Sequence, residues 1–184
     1  MKGLVAYDSY YGNGARVATV IADELEEAGH EVRLVALHDE RVKPRDLAAE
    51  TEFVVLGGPT RMKHMSRRAR SFANKLGYAS WGGKPALVYD TYGPLDPDPA
   101  KNKDSAWLYP GGVAELRKIL EFHGLFVVPE ELRCLVEGMK GPLAEGALDE
   151  ARAVAHSFAA RLSGSASPHE AQRAIHETQR TQEP

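Results

Sequence analysis

Over most of the chain, apolar runs of strand length alternate with stretches in which apolar residues recur every third or fourth position. Runs at Lys2–Tyr7, Glu31–Ala36, 53–57, 86–89 and 125–128, the last continuing toward 132–136, predict strands of a covered sheet. Between the first two, Val17, Val20, Ile21, Leu25 and Ala28 mark one side of a helix, and Gly29 supplies its stop. Met65, Ala69, Phe72 and Leu76 predict a second helical face ahead of Gly77. Val113, Leu116, Ile119 and Leu120 predict a third ahead of Gly124, and Leu148, Ala151, Ala155, Phe158 and Leu162 a fourth. The connection over 38–52 carries Pro44 and many charges, which leaves room only for a short or irregular helix. Strands alternating with helices imply right-handed crossovers and a parallel sheet with helices on both faces.

The 184 residues suit one domain, expected over 1–162. From 163 to 184 the chain is small and polar, without the apolar surface needed to fold alone, and reads as a tail. No run is long enough to cross a bilayer and no secretory pattern opens the chain, so a cytoplasmic protein with no membrane association is expected. A net charge of −3 argues against nucleic-acid binding and against a strongly acidic docking surface. The single cysteine, Cys134, rules out an internal disulfide or a paired-thiol redox motif. Its neighbours Leu132, Leu135 and Val136 predict a buried structural thiol, so any redox chemistry must come from a cofactor.

In an open parallel sheet, ligands bind outside the carboxyl ends of the strands, which directs attention to the loops after the first, third and fourth strands. The first is Ser9-Tyr10-Tyr11-Gly12-Asn13-Gly14, ahead of a helix. Ser9 offers a hydroxyl, Asn13 an amide, and Gly12 and Gly14 a close backbone approach, which suits a phosphate at a helix N-terminus. It is neither a dinucleotide fingerprint, since Val17 stands where a third glycine belongs, nor a Walker loop, since the Lys-Ser/Thr ending is missing. In the second, Gly57-Gly58-Pro59-Thr60-Arg61-Met62, the glycines and proline imply a tight strand exit, with Thr60 and Arg61 aimed at the crevice. The basic run that follows, Lys63 to Arg70, reads as a solvated helix face or as a docking patch for an anionic group. His64 has no second ligand at metal spacing, so no metal site is expected. The third loop runs from Asp90 through Thr91, Tyr92 and Gly93 to Gly112. Its length suggests function, with Tyr92 placed to stack on a planar ring and Trp107 and Tyr109 able to fold over the same place.

Together these segments resemble the flavodoxin family over about residues 1–162. Ser9-x-x-Gly12-Asn13 is similar to its phosphate loop, Gly57-Gly58-Pro59-Thr60-Arg61 to its Gly-Ser-Pro-Thr loop, and Asp90-Thr91-Tyr92-Gly93 to its second flavin-flanking loop. The stretch from Val136 to Leu143 is similar to the one ahead of the last helix in many such domains. The resemblance implies a three-layer sandwich around a five-stranded parallel sheet of order 2-1-3-4-5, in the short-chain form, binding FMN non-covalently. Its phosphate would lie in Ser9, Tyr10, Tyr11, Gly12, Asn13 and Gly14. Its ring would lie between Pro59, Thr60, Arg61 and Met62 on one side and Thr91, Tyr92 and Gly93 on the other. The implied function is electron transfer between redox partner proteins, with no catalytic side chain.

Three features depart from the family pattern. Tyr11 and Gly14 stand where hydroxyl residues are usual, and each lost hydrogen bond to phosphate costs about 1.5–3 kcal/mol unless replaced. The charge is nearly balanced where flavodoxins are strongly acidic, and Arg61 and Lys63 are expected to flank the ring, which favours a reduced anion. The ring-flanking loops hold no Trp, so Tyr92 would stack alone unless Trp107 reaches in. Two other functions fit the same fold: an NAD(P)H-dependent flavin or quinone reductase, and a domain that has lost FMN and acts as a binding module. Asp8 and Asp90 at strand ends also raise a receiver-type phosphoacceptor, although no second acidic residue stands beside Asp8.

Overall fold

The computed structural model describes residues 1–38, 43–77, 80–103, 105 and 108–164. Strands β1 (Lys2–Tyr7), β2 (Glu31–Ala36), β3 (Phe53–Arg61) and β5 (Pro85–Tyr92) pair in parallel in the order β2-β1-β3-β5. The fifth position is shared by two short strands. β6 (Phe126–Val127) pairs with the start of β5 and β7 (Leu132–Leu135) with its end, so the expected continuous run is interrupted around Pro129. The expected order 2-1-3-4-5 therefore holds for the parallel core. The count rises to seven because that strand is split and because β4 (His64–Met65) folds back antiparallel on the end of β3.

One face of the sheet is covered by α1 (Asn13–Glu27) and α6 (Ala147–Gly164), which close on Val5, Phe53, Val55, Leu87 and Tyr89. The other is covered by α3 (Arg67–Leu76) and α5 (Gly111–Phe122), with Leu4, Ala6, Val54, Leu56 and Val88 beneath them. Alternate residues of each central strand face opposite layers, which is why these strands are apolar throughout. β2 is the exception: as an edge strand it leaves Arg33 and Leu34 exposed. The connection over 38–52 does contain a short helix, α2 (Pro44–Ala48), held where buried Trp81 donates its indole N–H to the Pro44 carbonyl at 3.2 Å.

The helical faces expected from spacing pack as core, with three corrections. Ala28 caps α1 in the solvent, because Gly29 at φ +87° ends the helix there. Met65 is buried but belongs to β4, and Ser66 starts α3 by accepting a hydrogen bond from the Ala69 N–H. Gly77 is not in the left-handed region and serves by size: a Cβ there would fall 2.2 Å from the His123 ring. Cys134 is fully buried against the Ala147 carbonyl, and burial pushes its thiol up to about 12. α6 runs to Gly164, two residues past the expected domain end, and the rest of the predicted tail lies outside the described residues. Among the described residues no helix is long and apolar enough to cross a membrane.

The glycines of β3 have a packing role. The fully buried Tyr89 ring occupies the space that a Cβ on Gly57 would take, 2.1 Å from a ring carbon. Its hydroxyl then donates to the Gly14 carbonyl at 3.0 Å, tying β5 to the first turn of α1. Gly57→Ala forces the ring off this seat, so we expect a loss of about 2–3 kcal/mol in chemical denaturation. A loss below ~0.5 kcal/mol would show that the ring moves freely.

Candidate functional site

At the carboxyl edge of the sheet a cavity of about 450 Å³ opens between five segments: the β1–α1 loop, the β3–β4 hairpin, the end of β5, the connection ahead of α5 and the chain between β7 and α6. A volume of this size is in the range for a small-molecule ligand. Ser9, Tyr10, Tyr11, Asn13 and Gly14 line it from the first loop, Pro59, Thr60, Arg61 and Met62 from the hairpin, and Thr91, Tyr92 and Gly93 from β5. Of the first-loop residues expected at a site here, Gly12 alone does not line the cavity. It turns the chain into α1 at φ +86°.

The first loop delivers an anion site by backbone more than by side chain. No side chain caps α1, so the N–H groups of its first turn are left without an intrahelical partner, at the positive end of the helix. Gly14 is buried against the Asp8 carbonyl, where a Cβ would come within 3.0 Å, and Ser9 lies beside it. Asn13 is used differently from the expectation. Its amide N–H₂ donates to the Lys140 carbonyl at 3.0 Å, and its side chain fills the space beside Gly141. Asn13 thus fastens the first loop to the 138–141 turn while still lining the cavity.

The second loop is a hairpin, where the sequence suggested a direct lead into a helix. Thr60 pairs with Met65 and Arg61 with His64, and the two residues between them, Met62 and Lys63, both adopt positive φ (48° and 64°). Side chains are uncommon there, and the turn is held from below. Glu115 of α5 accepts the Met65 N–H at 2.8 Å and pairs with Arg70 at 3.1 Å. Arg61 stacks on Tyr10, its guanidinium carbon 4.1 Å from the ring centre, with Arg68 at 5.6 Å from the same ring. Lys63 does not line the cavity, contrary to its expected place beside a ring.

Beneath the cleft lies a network that sequence reasoning missed. Asp90 is fully buried and accepts hydrogen bonds from the Thr60 hydroxyl and from Arg133, whose Nε lies 3.1 Å from Oδ1 and whose Nη2 lies 3.1 Å from Oδ2. Thr60 in turn accepts the Gly112 N–H at 2.8 Å, and Arg133 also donates to the Leu108 carbonyl at 2.9 Å. The Arg133 guanidinium lies 4.3 Å from the Tyr92 ring centre and 5.4 Å from that of Tyr109. Tyr109 therefore packs on Arg133 and does not line the cavity, while Trp107 lies outside the described residues. Burial raises the Asp90 carboxyl above its usual range, against the lowering effect of Arg133 and Thr60. The one sign of Arg133 in the sequence is a charge inside an apolar strand. Pro94, Leu108, Val136 and Met139 complete the lining and were also missed.

Asp8 is fully buried as well, with Arg68 Nη1 at 3.6 Å. With Asp8 and Asp90 both sealed from solvent, neither offers the accessible carboxylate that a phosphoacceptor needs.

The fold and cleft define a doubly wound α/β protein with a cavity at the carboxyl ends of the strands, where ligands bind in such sheets. The flavodoxin domain family matches residues 4–104, more than half of the chain, and the protein belongs to that family. No curated protein sequence matches it. Among solved structures, an archaeal flavodoxin superposes with a TM-score of 0.69 at 20% identity, over 89% of this chain and 99% of its own. Flavodoxin 2 from Bacillus cereus does so with 0.68 at 24%, over 88% and 99%. The Flv1 flavodiiron core from Synechocystis matches with 0.70 at 15%, over 89% of this chain but 36% of its own. These likenesses extend the shared fold across nearly the whole described domain.

Replacing Asp90 by Asn sets an amide N–H₂ against the Thr60 hydroxyl and the Arg133 Nη2 that Oδ2 accepts from, and we expect a loss of about 1–3 kcal/mol at neutral pH. The same variant tests the titration. Because the native state holds this proton more tightly than the unfolded chain, Asp90 lowers stability as pH rises from 3.8 through its raised pKa. Denaturation of the two proteins across that window should show this slope in the native chain and its absence in Asp90→Asn.

Proposed function

We propose that the protein binds FMN in this cleft and carries electrons between redox partner proteins. The observation that carries the reading is a single cavity joining an uncapped helix N-terminus to a slot between the Pro59–Met62 and Thr91–Gly93 segments. Bound there, the flavin would supply the electron-transfer chemistry, while the chain holds it and sets its environment.

The residues fit the cofactor's parts. Ser9 and the first-turn amides of α1 would hold the phosphate, with Gly14 packing that turn closely against the Asp8 carbonyl. Tyr11, half exposed on the lining, keeps a hydroxyl at the mouth where the family usually has a smaller one. Tyr92, backed by Arg133, offers an aromatic face, and Met62 and Met139 offer apolar surface on either side. Arg61 brings a positive charge to the wall, which favours an anionic reduced ring and raises its potential.

The test is an absorbance spectrum of the purified protein before and after FMN addition and desalting, followed by titration with FMN and with riboflavin. We expect a retained flavin band and a riboflavin affinity at least about tenfold weaker, since riboflavin lacks the phosphate. Ser9→Ala should lower FMN affinity by about 10- to 100-fold, from the loss of a charged hydrogen bond, and leave riboflavin binding unchanged. Failure to bind FMN at micromolar concentration would refute the reading and favour a cofactor-free binding module. Rapid reduction of the bound flavin by NADPH alone would favour a reductase over a carrier.

A further inference from the structure

Large apolar side chains are exposed at few places among the described residues, and several of these surround the cavity mouth. Tyr10 and Tyr11 are each 49% exposed, Met62 66% and Met139 79%, and all four line the opening. Such a cluster of aromatic and methionine side chains around one opening has the anatomy of an interface core.

The charge beside it is mostly positive, the exposed Glu137 next to Val136 being matched by the exposed Lys140 next to Met139. Arg61, Lys63, Arg67 and Arg68 are all exposed on the β3–β4 hairpin and the first turn of α3. The nearby carboxylates are already engaged: Asp8 is buried beneath Arg68, and Glu115 faces Arg70 and His64. Arg61, Lys63 and Arg67 have no carboxylate within ion-pair distance among the described residues. In the loop beyond Pro94 the exposed acids Asp96 and Asp98 are tied within that loop, through Asn102, Lys101 and the Ala100 N–H. A chain of net charge −3 thus presents a positive rim at the one opening that leads to the proposed flavin.

We propose that this rim and the apolar mouth form the docking surface for a small acidic redox protein, one that carries carboxylates around its own centre. The inference rests on the flavin reading for its purpose, but the docking chemistry stands on the surface alone. It reverses the charge sense implied by the family resemblance, in which an acidic flavodoxin meets basic partners. A nucleotide phosphate is the weaker match to the same cations. They sit on a projecting hairpin turn and a helix start, and Lys63 and Arg67 do not line the cavity.

The experiment titrates isotopically labelled protein, as purified, with a plant-type ferredoxin as the acidic probe and cytochrome c as the basic one. NMR maps the contact and calorimetry gives the affinity. The ferredoxin should bind, with shifts concentrated at Tyr10–Tyr11 and Arg61–Arg68, and weaken as salt rises from 50 to 200 mM. The double variant Lys63→Glu with Arg67→Glu should weaken it by about tenfold or more. Neither position belongs to the cofactor site, and Glu at the first turn of α3 suits the helix, so FMN affinity and the circular dichroism spectrum should be unchanged. Preference for cytochrome c, ferredoxin shifts mapping elsewhere, or an unchanged affinity in the variant would each overturn the proposal. So would NADP⁺ producing the same shifts in place of ferredoxin. Ferredoxin binding by a protein that takes up no FMN would sustain the docking surface while refuting the flavin reading, so the two failures are separable.

Discussion

The carboxylate of Asp90 sits at the end of β5 with no access to water, and the segments that shape the cleft close on it from several sides. Thr60 brings the hairpin, Arg133 brings β7, and through those two the Gly112 N–H and the Leu108 carbonyl bring the start of α5 and the loop before it. A buried charge tolerates no vacancy among its partners, so each bond constrains the position of a different loop. Gly111, at φ +82°, belongs to the same arrangement: a Cβ there would fall 2.3 Å from Arg133 Nη2. The cleft walls are therefore set largely from beneath, with Thr60 and Leu108 the members of the network that also line the cavity. The surface loops can then carry unusual residues, such as the positive-φ pair Met62 and Lys63, without losing their place.

A second tie acts on the anion loop. Tyr89, seated in the space left by Gly57, reaches across the central strands to the Gly14 carbonyl, while Asn13 clasps the Lys140 carbonyl on the other side. The turn that would hold phosphate is thus anchored at adjacent residues to two different parts of the fold. This bears on the missing hydroxyls. A loop with Ser9 as its one small hydroxyl residue and a rigid set of helix amides would spend little free energy on ordering, which would offset part of what fewer direct hydrogen bonds forgo.

The layered architecture was legible because burial imposes periodicity. Central strands covered on both faces must be apolar throughout, and helices lying on them must be apolar on one stripe. The loops were legible because glycine, proline and short polar residues cluster where strands end. Other features lacked a local signature. The β3–β4 hairpin has neither Asn-Gly nor Asp-Gly at its turn, and its positive φ values fall on Met62 and Lys63, so nothing in the sequence separated it from the following helix. Arg133 and Glu115 act through partners 43 and 45–50 residues away, a distance that spacing rules do not span. Asn13 had the right residue type for a ligand contact and lines the cavity, and only the fold shows that its amide also bonds the Lys140 carbonyl.

The electrostatics of the molecule follow from where its cations can be placed. Arg133 is drawn under the cleft by Asp90, so its charge is compensated and largely screened from the mouth. Arg68 is held by Asp8 on one side and Tyr10 on the other, which fixes a guanidinium at the lip. Arg61 joins it on the same ring, and Lys63 projects from a turn whose backbone is bound at both ends. A chain with a small negative total can therefore show a positive face at one edge, because buried carboxylates determine which cations are neutralised and which remain exposed. At about 10 Å of screening length near 0.1 M salt, an approaching partner senses that edge and not the total. Under the docking proposal, a partner's surface charge, more than its fold, is what this edge would discriminate.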